Sequence, residues 1–323
     1  MATDNNSVVF YELLKAGLWE KEARLSQFGE IDYDAIMRLA EEQSVVGLVT
    51  AGLEQVKDLK VPQAWILQFI SSTLQIEQQN KSMNEFVAKL IESLRISGVY
   101  TLLVKGHGVA QCYERPLWRS CGDVDLFLSD DNFQKAKKCL IPQATTVEQE
   151  VEYDKHLGMT IDGWTVELHG NLRGGLSARM DKVLDDIVND TFYKGDVCSW
   201  MNGQTQVFLL SKENAVLFVF AHYLKHFFKE GLGIRQICDW SRLLWTYKDS
   251  LNHSVIEKRI KKMGLMTEWH AFGAFSTKYL GMPAEAIPLF DSQASVHSVQ
   301  LQKKADLINE YILMVGNMDI TRI

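Results

Sequence analysis

Cysteine is sparse in this 323-residue chain. The five cysteines, Cys112, Cys121, Cys139, Cys198 and Cys238, form no CxxC pair and are odd in number. That argues against a four-cysteine zinc module and against a disulfide framework, so a reducing cytoplasm is the expected compartment. Proline is as rare, with five residues, and no low-complexity linker marks a hinge. Apolar runs are short. AVLFVFA at 215–221 falls far below the roughly 20 residues needed to span a bilayer, so no membrane partner is expected. The opening residues MATDNNSVVF lack a basic segment followed by a signal-like apolar run, and no secretory leader is expected. Positive charge is also short: the formal net charge is -7, which argues against a general nucleic-acid coat but leaves room for a local basic cleft. Finally, neither GxxxxGK[ST] nor GxGxxG occurs.

What is present is a globular balance, 46% hydrophobic and 23% charged, in a chain long enough to bury a large core and to form two domains more readily than one. Apolar residues recur at three- and four-residue spacing in VVFYELLKAGLW (8–19), in DYDAIMRLAEEQSVVGLVTAGLEQV (32–56) and through 63–98. Residues 1–98 therefore read as a helical region, with Gly98 as the stop for its last helix. The pattern then changes. VYTLLVKG (99–106) is a short β-branched run ending in glycine, which predicts a buried strand, and HGVAQCYER (107–115) predicts a helix directly after it. DVDLFL (123–128) predicts a second strand. YDKHLGMTID (153–162) and WTVELHG (164–170) flank the tight-turn dipeptide Asp162–Gly163 and predict an antiparallel hairpin. From about 176 the chain is again mostly helical, with QTQVFLL (204–210) a candidate short strand. The expected fold class is α+β: a small mixed or antiparallel sheet within 99–175, between an N-terminal helical region and a C-terminal helical domain, 176–323, that closes a cleft.

Two aspartates interrupt the apolar pattern of the second strand. Alternation puts Val124, Leu126 and Leu128 on one face and Asp123 and Asp125 on the other. Carboxylates at i and i+2 stand about 7 Å apart along a strand, close enough to share one cation or a pair of them. Oxygen ligands of this kind suit Mg²⁺ or Mn²⁺. Alone, the same pattern also fits a solvated sheet face. In TVELHG, Val166 and Leu168 alternate with Thr165, Glu167 and His169. If this strand pairs beside DVDLFL in the right register, Glu167 joins the aspartates, and three acids on one face make a divalent-metal site for phosphoryl chemistry. Gly106 and Gly108, opening a helix after a strand, could present backbone N–H groups to an anion. Lys105 adds a positive charge there or stands as a solvated strand end. Arg119 could hold a phosphate oxygen or pair with Glu114 or Asp123.

A strand ending in Lys105–Gly106, then Tyr113-x-x-Pro116, then Arg119-x-x-x-Asp123-x-Asp125-Leu126, resembles the uncharacterised nucleotidyltransferase family of the DNA polymerase beta-like superfamily. The segment VELHGNL is similar to that family's Glu-Leu-His segment, with Glu167 in the position of the third acid. EEQSVVGLVTAGLEQV (41–56) and AHYLKHFFKEGLGIRQICDW (221–240) resemble its flanking helices. One departure is His107, which stands where the wider superfamily has Gly or Ser after the first glycine. The resemblance implies a Mg²⁺- or Mn²⁺-dependent nucleotidyltransferase. It would move a nucleoside monophosphate from a nucleoside triphosphate to an unknown hydroxyl or phosphate acceptor; the acidic balance of the chain favours a small molecule or protein over a long nucleic acid as that acceptor. It implies Asp123, Asp125 and Glu167 as catalytic and metal-binding residues. It also implies that the helix bearing His222 and His226 faces the nucleotide. Lys225, His226 and Arg235 are then candidates for phosphate or acceptor contacts, with Asp239 orienting a basic neighbour. HYLKH is not a protease motif, because Tyr223 stands where HExxH has its glutamate. A catalytically inactive nucleotide-binding or regulatory protein on the same scaffold is the alternative.

Overall fold

Residues 5–153, 155–229, 231–290 and 298–316 are described by the computed structural model. The N-terminal periodicity folds into α1 (Asn5–Trp19), α2 (Tyr33–Glu42), α3 (Val46–Glu54) and the long α4 (Gln63–Ile96). The Asp32 carboxylate caps α2 by accepting the Ala35 N–H at 3.0 Å. The apolar pattern of 32–56 is split where Ser44 takes φ 55°, which turns α3 back onto α1. Glycine makes that packing close. A Cβ on Gly17 would lie 1.8 Å from the Leu48 carbonyl oxygen, and one on Gly52 would lie 1.9 Å from that of Leu13.

The sheet follows. Its first part is β1 (Leu102–Val104), the single-turn α5 (Gly106–Ala110), β2 (Asp123–Phe127), α6 (Asp130–Leu140) and β3 (Thr146–Val147). The predicted hairpin is β4 (His156–Ile161) and β5 (Trp164–His169), joined by Asp162 and Gly163 at φ 50° and 82°. After α7 (Ala178–Lys194) a second hairpin, β6 (Val197–Asn202) and β7 (Thr205–Leu210), returns to the sheet. The strand order is β3-β4-β5-β2-β1-β7-β6, with β2–β5 and β1–β7 parallel and the other pairs antiparallel. The class is therefore α+β, as expected, but the sheet has seven strands, and two come from the region beyond 175. β6 has little sequence signal because apolar Val197 and Met201 face solvent while Asn202 shares the half-buried face with Cys198 and Trp200, so polarity does not alternate along it.

The two faces of the sheet are buried in different cores. Val124, Leu126, Val166 and Leu168 pack with Phe86, Val87 and Leu90 of α4 and Phe133 of α6. Leu102, Val104 and Phe127 point the other way, into the core built by α7 and the C-terminal helices. These are α8 (Lys212–Lys229), α9 (Ile234–Tyr247), α10 (His253–Met263), α11 (Met266–Leu280) and α12 (Val299–Gly316). Among the described residues no helix is long and apolar enough to cross a membrane.

Candidate active site

Strand register brings the acids together. Parallel pairing of β2 with β5 sets Asp125 opposite Glu167 and Phe127 opposite His169, so the side chains of both triplets share one face. One carboxylate oxygen each from Asp123, Asp125 and Glu167 lies within 4.8 Å of the others. Asp125 is 1% exposed, while Asp123 and Glu167 are half-buried. Three adjacent carboxylates repel, and the fold compensates them with positive groups. β1 places Val104 opposite Asp125. The next residue, Lys105, sits at φ 58° and Gly106 at φ 42°, so the chain turns sharply into α5. The Lys105 ammonium thereby lies 2.6 Å from Asp125 Oδ1. A non-glycine residue at positive φ is a strained conformation, and here the ion pair holds it.

Two histidines complete the compensation. His169 Nε2 is 2.8 Å from Asp125 Oδ1 and 3.4 Å from Glu167 Oε2, and His156 Nε2 is 3.3 Å from the same Glu167 oxygen. The resulting charge states differ from residue to residue. Burial raises the Asp123 pKa, with repulsion from Asp125 adding to it and Lys105 opposing it. Burial acts on Glu167 in the same direction, but hydrogen bonds from His156 and His169 outweigh it and hold this carboxyl well below the usual range. Burial opposes the positive charge on Lys105 and His169. Asp125, Asp123 and Glu167 reverse this for Lys105, and hydrogen bonds to Asp125 and Glu167 reverse it for His169, so both are shifted up. Asp125 Oδ2 is buried without a hydrogen-bond partner among the described residues. An all-carboxylate donor set with an orphaned buried oxygen fits a hard divalent cation such as Mg²⁺ or Mn²⁺.

The acids form one wall of a cavity of about 470 Å³, roofed by α8 and α9. That volume suits a nucleotide-sized ligand. On α8, His222 and His226 meet through their Nε2 atoms at 3.0 Å. Burial, with Lys105 and His226 nearby, keeps His222 far below the ordinary imidazole pKa. Lys225 also lines the cavity. On α9, Arg235 donates to the Ser120 carbonyl at 2.6 Å, and no carboxylate among the described residues pairs with it. Burial and the neighbouring Arg119 lower its pKa.

Arg119 borders the cavity but is engaged elsewhere. It makes a two-pronged pair with Asp239, Nε to Oδ1 at 3.0 Å and Nη2 to Oδ2 at 2.5 Å, and Tyr113 donates its hydroxyl to the same carboxylate at 2.7 Å. Neither Glu114 nor Asp123 is its partner. The basic neighbour paired with Asp239 is thus Arg119. Gly106 lines the cavity, and its positive φ favours glycine. Gly108 serves packing: a Cβ there would lie 2.9 Å from Leu209 Cδ2. The helix they open is a single five-residue turn.

Sequence reasoning gives no role to His156 or His169. The signal was available by counting. With Asp162–Gly163 as the turn, Ile161 pairs with Trp164, and five residues out on each strand His156 meets His169. No curated protein and no solved structure matches the chain. The sequence pattern of one family matches residues 29–281, from just before α2 to the end of α11, and includes every residue of the acid cage. The chain belongs to the uncharacterised nucleotidyltransferase family.

Proposed function

We propose that the chain transfers a nucleoside monophosphate from a nucleoside triphosphate to a hydroxyl or phosphate acceptor and releases pyrophosphate. The observation that carries this reading is the convergence of Asp123, Asp125 and Glu167 on one face of a cavity whose opposite wall is basic. Asp123, Asp125 and Glu167 would hold two Mg²⁺ or Mn²⁺ ions. Those ions supply charge neutralisation for the triphosphate and acidify the acceptor hydroxyl. The acceptor hydroxyl gives up its proton to solvent as its oxygen attacks the α-phosphorus in line, and the bond to the pyrophosphate bridging oxygen breaks. Glu167, held ionised by two histidines, suits ligation better than proton acceptance. Lys105 and Arg235, with Lys225 and His226 of the roof, would hold phosphate oxygens. The Gly106 turn lets the chain approach them closely, and Gly108 keeps α5 against the sheet. Catalysis in such a site rests on positioning and charge, since the protein forms no covalent bond to the nucleotide.

The alternative is a nucleotide-binding protein without transfer activity. The Lys105 ion pair to Asp125 favours it, because a fixed cation already sits in the acid cage. Both readings are tested by incubating the chain with each of the four triphosphates and Mn²⁺, following binding and pyrophosphate release. Transfer predicts metal-dependent binding and turnover with at least one triphosphate, and loss of turnover by a factor of at least about 100 in Asp123→Asn. Binding without pyrophosphate release under any of these conditions supports the alternative, and no binding at all refutes both.

A further inference from the structure

The proposed transfer chemistry gives His156 and His169 no part beyond hydrogen bonding to the acids. They are cross-strand partners in the β4–β5 hairpin, with ring centroids 4.9 Å apart. Both aim Nε2 at one atom, Glu167 Oε2, from 3.3 and 3.4 Å. One donor atom from each of the three residues lies within 4.8 Å of the others. For charge-assisted hydrogen bonds these separations are long, since such bonds run about 2.7–2.9 Å. They equal the edge of a coordination tetrahedron: ligands about 2.0–2.1 Å from a four-coordinate ion stand roughly 3.3 Å apart. Imidazole nitrogen combined with carboxylate oxygen is ligand chemistry for Zn²⁺ and its transition-metal neighbours, whereas Mg²⁺ prefers oxygen alone. All three side chains line the cavity, so three protein ligands leave a fourth position open to it.

We propose that His156, Glu167 and His169 form a second cation site, distinct from the all-oxygen cage, which takes a four-coordinate transition-metal ion of the Zn²⁺ type. Its fourth position is filled by water or by an oxygen of the molecule bound in the cavity. Glu167 is common to the two sites and couples their occupancy. In the ion-free chain His169 Nε2 is shared with Asp125 Oδ1 at 2.8 Å. Lys105, 2.6 Å from that same oxygen, keeps Asp125 paired when His169 turns to the ion. The site stands on hairpin register and donor chemistry, and it does not depend on the transfer reading.

The test is calorimetric titration of the metal-stripped full chain with Zn²⁺ in excess Mg²⁺, together with the visible spectrum of the chain loaded with Co²⁺. One Zn²⁺ per chain is expected, with Co²⁺ absorption of four-coordinate rather than six-coordinate intensity. His156→Gln should lower Zn²⁺ affinity by a factor of about ten or more, and His156 is exposed enough for this variant to fold. Asp123→Asn should keep Zn²⁺ binding. Failure to bind Zn²⁺ in excess Mg²⁺, six-coordinate Co²⁺, an affinity unchanged in His156→Gln, or loss of Zn²⁺ in Asp123→Asn each overturns the proposal. Nucleotidyl transfer is read separately, from pyrophosphate release with Mg²⁺ and no Zn²⁺, so failure of this site and failure of the transfer reading are distinguishable.

Discussion

At the scale of the residue, the environment of each charged or titratable group decides what it can do. Arg119 is the clearest case. Its guanidinium is 6% exposed and consumed by Asp239, so its positive charge is spent on a buried pair rather than offered to a ligand. Removing one partner of such a pair leaves the other charge buried and uncompensated. His107, the residue after the turn glycine Gly106, is buried beside Arg119, and its Nε2 lacks a hydrogen-bond partner among the described residues. Burial, reinforced by the Arg119 charge, lowers its pKa from 6.5 to about 4. The unfolded chain therefore takes up this proton first as the pH falls. The stability that His107 contributes as a neutral group is complete above pH 6.5 and is lost progressively down to about pH 4. The loss is roughly 3 kcal/mol, at about 1.4 kcal/mol per pKa unit. Urea unfolding across that range should show a shallower pH dependence for His107→Gln than for the wild type. Equal slopes would place the titration elsewhere.

At the scale of the element, close approach and turn geometry fix what pairs with what. The α1–α3 contact rests on Gly17 and Gly52, each facing a carbonyl of the other helix at a distance no side chain could occupy. Gly52→Ala forces the helices apart, and overpacking of this kind costs about 1–3 kcal/mol. Thermal unfolding should show a lower Tm for this variant, while Gly122→Ala, with open space around its Cβ position, should melt close to the wild type. The β4–β5 hairpin shows the same principle in a sheet. Its two-residue turn fixes the β4–β5 register and so puts His156 beside His169, while the separate parallel register of β5 against β2 puts Glu167 beside Asp125. A slip by one residue would carry Glu167 to the face that packs on α4.

At the scale of the whole molecule, helices outside the family's matched span 29–281 belong to the same core. In α1, Val9, Phe10, Leu13 and Leu14 are fully buried, and the Tyr11 hydroxyl donates to Asn309 of α12 at 2.5 Å. Burying each such apolar side chain contributes about 1.5–3 kcal/mol. The four together rival the whole stability of a typical domain, about 5–15 kcal/mol. A chain cut to 29–281 should therefore lose cooperative unfolding and aggregate, even though it keeps every acid and histidine of the candidate site. A sharp melting transition for that fragment would show that α1 is dispensable.

What the sequence determined by itself is local. Helical spacing located α1 through α4, alternation put Asp123 and Asp125 opposite Val124 and Leu126, and Asp162–Gly163 set the hairpin turn. These are properties of a few consecutive residues, governed by backbone geometry and side-chain periodicity. Tertiary structure decided the rest. Arg119 finds its partner 120 residues away on α9. β7 crosses to lie parallel to β1 with only one register pair to mark it, and β6 joins a sheet its own composition scarcely announces. Such pairings depend on which surfaces remain to be buried once the local elements exist. That is settled by the competition of the entire chain for its core, and no short window of sequence contains it.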